Sequence, residues 1–328
     1  MFPSRILCFG ELLFRLIPHL KDHTARIYPG GAEANVAAAL GTWGVPTDYV
    51  SCVPANRIAD DVLHELQRCN VNTQKVARGG DRLGFYYAMP GADLKSSSVV
   101  YDRKFSSFSK LKPGDINWKE LLKDVTWFHW SAITPALSEN LAAVCEEALI
   151  EAQRLGITIS VDLNYRSLLW KDRDPHEVMI PLLKYCNVVM GNLWSAEKLA
   201  GMKLPQLKEG SEDKLYVEAA LISSKQLKRE FPQCSQVAYT FRFNDQEGIR
   251  YFSTLFENKS MFTSTKFSSA HVVERVGTGD SFMAGLIYAN VHQLSSQARI
   301  DRATRCGFSK FFVEGDFNTT PFSELINL

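Results

Sequence analysis

A chain of 328 residues, 45% apolar and 22% charged, has the composition of a folded protein with a sizeable core and excludes a disordered one. Its formal net charge of +1 supplies no bulk charge to hold nucleic acid or a membrane surface, so small molecules are the expected partners, with local basic groups free to bind a small anion. The seven cysteines include no CxxC pair, which argues against a zinc or redox site and for reduced thiols in a cytoplasmic protein.

Residues 5–9 read as a first strand. Polar Gly10-Glu11 ends that apolar run, so no signal peptide is expected, and no stretch nears the roughly 18 apolar residues of a membrane span. Residues 33–43 form an Ala-rich helix closed by Gly44, 47–53 a strand, and 58–69 an amphipathic helix. Strands are expected at 125–130, 157–161, 188–190 and 236–241, with helices at 139–154, 175–184 and 213–229 and two more starting near Asp280 and Ser296. This alternation predicts βαβ units and a parallel sheet covered on both faces. A (β/α)8 barrel has a similar alternation, but two helix-free inserts, at about 12–28 and 76–107, fit an open doubly wound sheet better. Phe85-Tyr86-Tyr87 and Ser98-Val99-Val100-Tyr101 are hairpin strands in the second insert. The inserts make either one small sheet standing off the main one as a lid, or two ordinary surface hairpins.

The segment Val276-Gly277-Thr278-Gly279-Asp280-Ser281-Phe282-Met283-Ala284-Gly285 sets two glycines and an acid at the start of an apolar helix. Glycine lets the backbone turn sharply and present its amides, and at a helix N-terminus amides favour an anion. A carboxylate there can take a proton from a hydroxyl while the amides hold a phosphate. The same residues also describe a plain turn with Asp280 as helix cap. A second motif, Gly30-Gly31-Ala32-Glu33-Ala34-Asn35-Val36-Ala37, opens the Ala-rich helix. Gly31 lets a ligand approach the backbone, and Asn35 brings both a donor and an acceptor. A tight turn packed on a sheet explains the glycines and alanines but not Asn35.

Glu274-Arg275-Val276-Gly277-Thr278-Gly279-Asp280 resembles the D-T-x-G-A-G-D signature of the ribokinase (PfkB) carbohydrate kinases, with Thr278 in place of Ala. The Gly30 motif resembles that family's N-terminal signature, and its form G-G-A-E-A-N is most similar to the 2-keto-3-deoxygluconate kinases. Three further segments resemble the same branch: Tyr101-Asp102-Arg103-Lys104 with Ser106-Ser107-Phe108-Ser109, then Trp130-Ser131-Ala132-Ile133-Thr134-Pro135-Ala136-Leu137-Ser138, then Asp162-Leu163-Asn164-Tyr165-Arg166. The matches keep one order over nearly the whole chain.

The resemblance implies a ribokinase-like α/β domain over residues 1–328, with a mainly parallel, doubly wound sheet and a small β-sheet lid that can pair between subunits into a homo-oligomer. It implies transfer of a phosphoryl group from ATP, with Mg2+, to the terminal hydroxyl of 2-keto-3-deoxygluconate. Asp280 is then the catalytic base and the amides of Gly277, Thr278 and Gly279 the anion hole. Asn192, Thr240 and Arg242 join Gly277 and Gly279 on the nucleotide. Gly31, Asn35, Tyr86, Tyr101, Arg103 and Arg166 bind the sugar, the two arginines giving forked, charge-assisted hydrogen bonds to its carboxylate. No metal ligands are legible. Two positions depart from the family: Arg242 stands where T-x-G has its glycine, and Ser195 where N-x-x-E has its glutamate. Two other readings stay open. A fructokinase or other neutral-sugar kinase leaves two cations unpaired, and a catalytically silent sugar-binding regulator leaves Asp280 unexplained. There is no G-K-[ST] loop and no H-R-D motif.

Overall fold

The computed structural model describes residues 4–89, 98–208, 210–245 and 248–325, so 90–97 of the second insert lie outside it. The strands are β1 (Ile6–Phe9), β2 (Leu13–His19), β3 (Thr24–Gly30), β4 (Thr47–Val50), β5 (Cys52–Val53), β6 (Val71–Asn72), β7 (Ala77–Arg78) and β8 (Gly84–Met89) in the first part of the chain. They continue with β9 (Ser98–Asp102), β10 (Trp127–Ser131), β11 (Thr158–Asp162), β12 (Val188–Gly191), β13 (Gln236–Asp245), β14 (Gly248–Glu257), β15 (Ser260–Thr263) and β16 (Phe267–Ser269).

The main sheet runs β15-β14-β13-β12-β11-β10-β1-β4-β6, with β16 also on β14. Pairing is parallel from β6 to β13 and antiparallel from β13 onward. The sheet is open, with edges at β6 and β15, so it is not a barrel. Its central strands are buried at nearly every position because both faces are covered. Leu7 and Phe9 of β1 point into one core cluster, Ile6 and Cys8 into the other. The first cluster lies under the helices Glu139–Arg154, Pro175–Leu183, Leu193–Ala200 and Asp213–Glu230, the second under Ala32–Thr42, Arg57–Arg68, Thr278–Val291 and Ser296–Ser309.

The two inserts form one separate four-stranded sheet, β3-β2-β8-β9. Parallel pairing of β2 with β8, from Leu13 against Gly84 to Leu16 against Tyr87, joins them, so they are not independent hairpins. Two expectations are corrected and one unassigned region is filled. Residues 47–53 are two strands: Thr47–Val50 stays in the main sheet, while Cys52–Val53 turns away to pair with Ala77–Arg78. The strand expected at 236–241 runs on to Asp245, paired with β14 over its full length, which places Arg242 in a strand opposite Tyr251 and not in a loop. The region 248–269, which the sequence left unassigned, carries β14, β15 and β16. Among the described residues no helix is long and apolar enough to cross a membrane.

Phe9 shows how tightly the central strand is held. It is fully buried, with its ring centroid 4.9 Å from Trp118 and 5.4 Å from Phe108. Phe9→Ala is expected to cost about 3–5 kcal/mol, read as a lower urea midpoint with an unchanged m-value. A midpoint within error of the parent would show that the strand tolerates the void.

Candidate active site

The parallel strands end at one edge of the sheet, where α/β proteins bind their ligands. An open cavity of about 1050 Å³ lies there. The small sheet walls one side with Leu13, Tyr86, Val99 and Tyr101, and the start of the Thr278–Val291 helix walls the other. Every residue singled out by motif lines this one cavity: Gly31, Asn35, Tyr86, Tyr101, Arg103, Arg166, Asn192, Thr240, Arg242, Gly277, Thr278, Gly279 and Asp280.

Gly277 caps the helix with φ of 80°, a left-handed conformation that favours glycine, and a Cβ there would strike the carbonyl oxygen of Asp316. Gly279 differs: an added Cβ would meet only Met190 Cε, at 3.7 Å. The amides of the first helical turn have no intrahelical acceptor and face the cavity end of the helix. Gly31 has φ of 138°, and a Cβ there would run into the Glu11 carbonyl.

Asp280 is buried in the first turn of its helix, and Asn35 Nδ2 donates to its Oδ2 at 2.6 Å. Asn35 Oδ1 is buried with no hydrogen-bond partner among the described residues. Burial, then the nearby Asp162 charge, raises the Asp280 pKa to about 7. Asp162, at the end of β11, is raised to about 6 by burial, although the amide of Asn164 donates to it. Glu33 follows Gly31 by two residues and turns inward. Its Oε1 accepts from Ser131 N at 3.0 Å and Ser131 Oγ at 2.6 Å, tying two of the matched segments together.

Three charged residues that the sequence did not flag support the site: Asp316 lines the cavity, and Arg15 and Glu11 hold lining residues or their partners. Asp316, from the C-terminal segment, accepts from Tyr86 OH at 2.9 Å and from Arg15 Nε at 2.7 Å. Arg15 also reaches Glu274 at 2.6 Å, just ahead of the glycine turn. Glu11, directly after β1, accepts from Arg103 Nε at 2.6 Å and from Ser106 Oγ at 2.5 Å. Arg103 is therefore half of a buried ion pair and not an isolated cation, which corrects the argument that a neutral sugar would leave it unpaired. The side chains of Arg166 and Arg242 make no hydrogen bond or ion pair among the described residues. Partial enclosure and then the like charges of Arg275 and Arg166 lower the Arg242 pKa, an effect that the solvent reaching its side chain tempers. Asn192 caps the Leu193–Ala200 helix, accepting from Ser195 N at 2.8 Å and Ser195 Oγ at 3.0 Å. Ser195 is buried and spent on that cap, where the family pattern has a glutamate.

The raised Asp280 pKa has a stability consequence. Between its ordinary value of 3.8 and about 7, the folded state keeps a proton that the unfolded state has lost. Stability therefore falls as pH rises through that window. Asp280→Asn is expected to stabilise the ligand-free protein at pH 8 by about 1–3 kcal/mol and to flatten the decline between pH 5 and 8. Melting curves of both proteins at the two pH values check this, and parallel slopes would remove Asp280 as the source.

Comparison with known proteins agrees with this fold. Residues 4–318 match the pfkB family carbohydrate kinase model. The Haloferax volcanii 2-dehydro-3-deoxygalactonokinase is 28% identical over 87% of this chain and 83% of its own length. The Bacillus subtilis 2-dehydro-3-deoxygluconokinase is 26% identical over 90% of this chain and 84% of its own. The crystal structure of Thermotoga maritima 2-dehydro-3-deoxygluconokinase, 33% identical, superposes with a TM-score of 0.91 over 99% of this chain and 98% of that one. With nearly its whole length matched and its fold reproduced, this chain belongs to the pfkB family of carbohydrate kinases.

Proposed function

We propose that the protein transfers the γ-phosphoryl group of ATP to the terminal hydroxyl of a 2-keto-3-deoxy sugar acid, with 2-keto-3-deoxygluconate as the first candidate. The observation that carries this reading is Asp280 itself. It is a buried carboxylate oriented by Asn35, set in a helix's first turn beside a glycine that nothing in the protein requires. Close approach of a phosphate explains Gly279.

In the reaction, Asp280 accepts the proton of the attacking hydroxyl. A pKa near 7 suits a base that works close to neutrality. Asn35 holds one carboxylate oxygen of Asp280. The first-turn amides of Thr278 and Gly279 stabilise charge on the transferring group. Thr240 and Arg242 serve the nucleotide's phosphates. Magnesium bound to those phosphates would lower their charge, and Asp162, which lines the cavity, would be an oxygen donor of the kind it takes. The small sheet closes over the sugar with Tyr86 and Tyr101 and excludes water.

The substrate class rests on Arg166, whose guanidinium is available for a carboxylate. The similar kinases of dehydro-deoxy gluconate and galactonate support the acid class, and an assay with both epimers chooses between them. The pairing of Arg103 with Glu11 favours one second reading, a neutral-sugar kinase.

Asp280→Asn keeps the shape and is expected to lower kcat by about 10²- to 10⁴-fold, with sugar KM little changed. Near-normal turnover would leave Asp280 as a helix residue only. Arg166→Ala is expected to reduce kcat/KM for the acid by roughly ten- to a hundred-fold and hardly affect fructose, with Arg166→Lys recovering part of it. ADP release measured on both epimers and on fructose reads this out. A parent enzyme that prefers fructose overturns the acid assignment and keeps the kinase.

A further inference from the structure

Lys310 is fully buried, an unusual place for a lysine. It starts the short turn Lys310–Phe312 that follows the Ser296–Ser309 helix. Its Nζ donates to the carbonyls of Val313 at 2.7 Å and Gly315 at 2.8 Å. The next residue, Asp316, presses its carbonyl against Gly277, and Lys310 Cε lies 3.3 Å from where a Gly277 Cβ would sit. The ammonium is thus seated behind the glycine turn whose front faces the cavity. The charged groups facing it are Glu274, Asp316 and Asp280 among the acids and Arg15 among the cations.

Two carbonyls do not by themselves call for a lysine. A water molecule or an amide satisfies them without burying a charge. What only an ammonium adds is a fixed positive charge, here placed behind the point where phosphate charge gathers. We propose that Lys310 is a positioning residue for phosphoryl transfer: a built-in cation that holds the 313–316 loop against the Gly277 turn and strengthens the turn's anion-binding side. This rests on reading residues 277–279 as the anion site. Burial lowers the Lys310 pKa to about 8, so the cation is lost on the alkaline side of neutrality. Asp316, raised to about 6, titrates below that limb and Asp280, raised to about 7, overlaps its start, so the limb is assigned by comparing the parent with Lys310→Met, while Arg15 keeps its charge through it.

The test compares Lys310→Met, Lys310→Ala and Thr278→Pro with the parent enzyme, measuring kcat, sugar affinity by calorimetry and melting temperature. Lys310→Met is expected to lose about 10- to 100-fold in kcat, with sugar affinity within about 2-fold. Methylammonium should restore part of the rate to Lys310→Ala, whereas tetramethylammonium, too large for the space, should not. In the parent, kcat should fall above about pH 8, and Lys310→Met should lack that fall. A folded Lys310→Met with kcat within about 2-fold of the parent overturns the proposal. So does a loss of rate with no methylammonium response and an unchanged alkaline limb, which makes Lys310 a packing residue. Should the variants fail to fold, a parent kcat that stays flat from pH 7.5 to 9.5 overturns it as well. Thr278→Pro separates the two ideas, because it deletes one amide of the turn and restrains Gly277 before it. If that variant still transfers phosphate at the parent rate, the anion-site reading itself fails. If it is inactive while Lys310→Met is not, only the role of Lys310 falls.

Discussion

The hydrogen bond from Asn35 to Asp280 is the contact on which the rest of the site depends. Its partners lie 245 positions apart, in the first turns of two helices on the same face of the sheet. Those helices pack against each other, and the small residues Ala34, Ala37 and Ala38 of one and Ala284 of the other belong to the same core cluster, which lets the helices approach closely. A bulkier helix pair would separate the amide from the carboxylate. The Ala-rich composition of the first helix is therefore a requirement of the active site as much as of the core.

Around that bond the protein concentrates charge where a folded chain ordinarily avoids it. Glu11, Glu33, Asp162, Asp280 and Asp316 are all buried, and so are Arg15, Arg103 and Lys310. Each acid is given a donor: Arg103 and Ser106 for Glu11, Ser131 for Glu33, Asn164 for Asp162, Asn35 for Asp280, Tyr86 and Arg15 for Asp316. An unpaired buried charge is strongly unfavourable, and a hydrogen-bonded one much less so. The donors come from the small sheet, the strand ends and the helix starts, so the electrostatics hold together elements that share little apolar contact. Arg15 does most in this respect, since it joins β2 of the small sheet to both Glu274 and Asp316.

Much of this was legible in the sequence, and the boundary has physical causes. Asp280, Asn35 and the glycines stood out because a turn, a helix start and a polar residue on an apolar helix are local signals. Arg103 was legible as a site residue but its partner was not: Gly10-Glu11 read only as a break in an apolar run, and the pairing is made across 92 positions. Asp316 and Lys310 carry no local signal, because their roles come from a C-terminal segment folding back under the glycine turn. The strand β14 was missed because it buries polar residues: Ser253 and Thr254 sit in the core, with Ser253 bonded to Ser264 and Thr304, and so break the apolar alternation that marks a strand. Ser195 was read against a metal-binding pattern, while the structure uses it to complete a helix cap.

The pairing of β2 with β8 bears on how the molecule assembles. Leu13 meets Gly84 only after the chain between them has passed through β4 and β6, two parallel strands of the other sheet. Closing so long a loop is entropically unfavourable and gains little until the intervening strands have docked and brought the ends near each other. The small sheet is thus a late product of folding, completed on a finished scaffold. A refolding molecule would hold its main-sheet framework before the cavity had its second wall, and hydrogen-exchange protection at Leu13–His19 and Gly84–Met89 would arrive last.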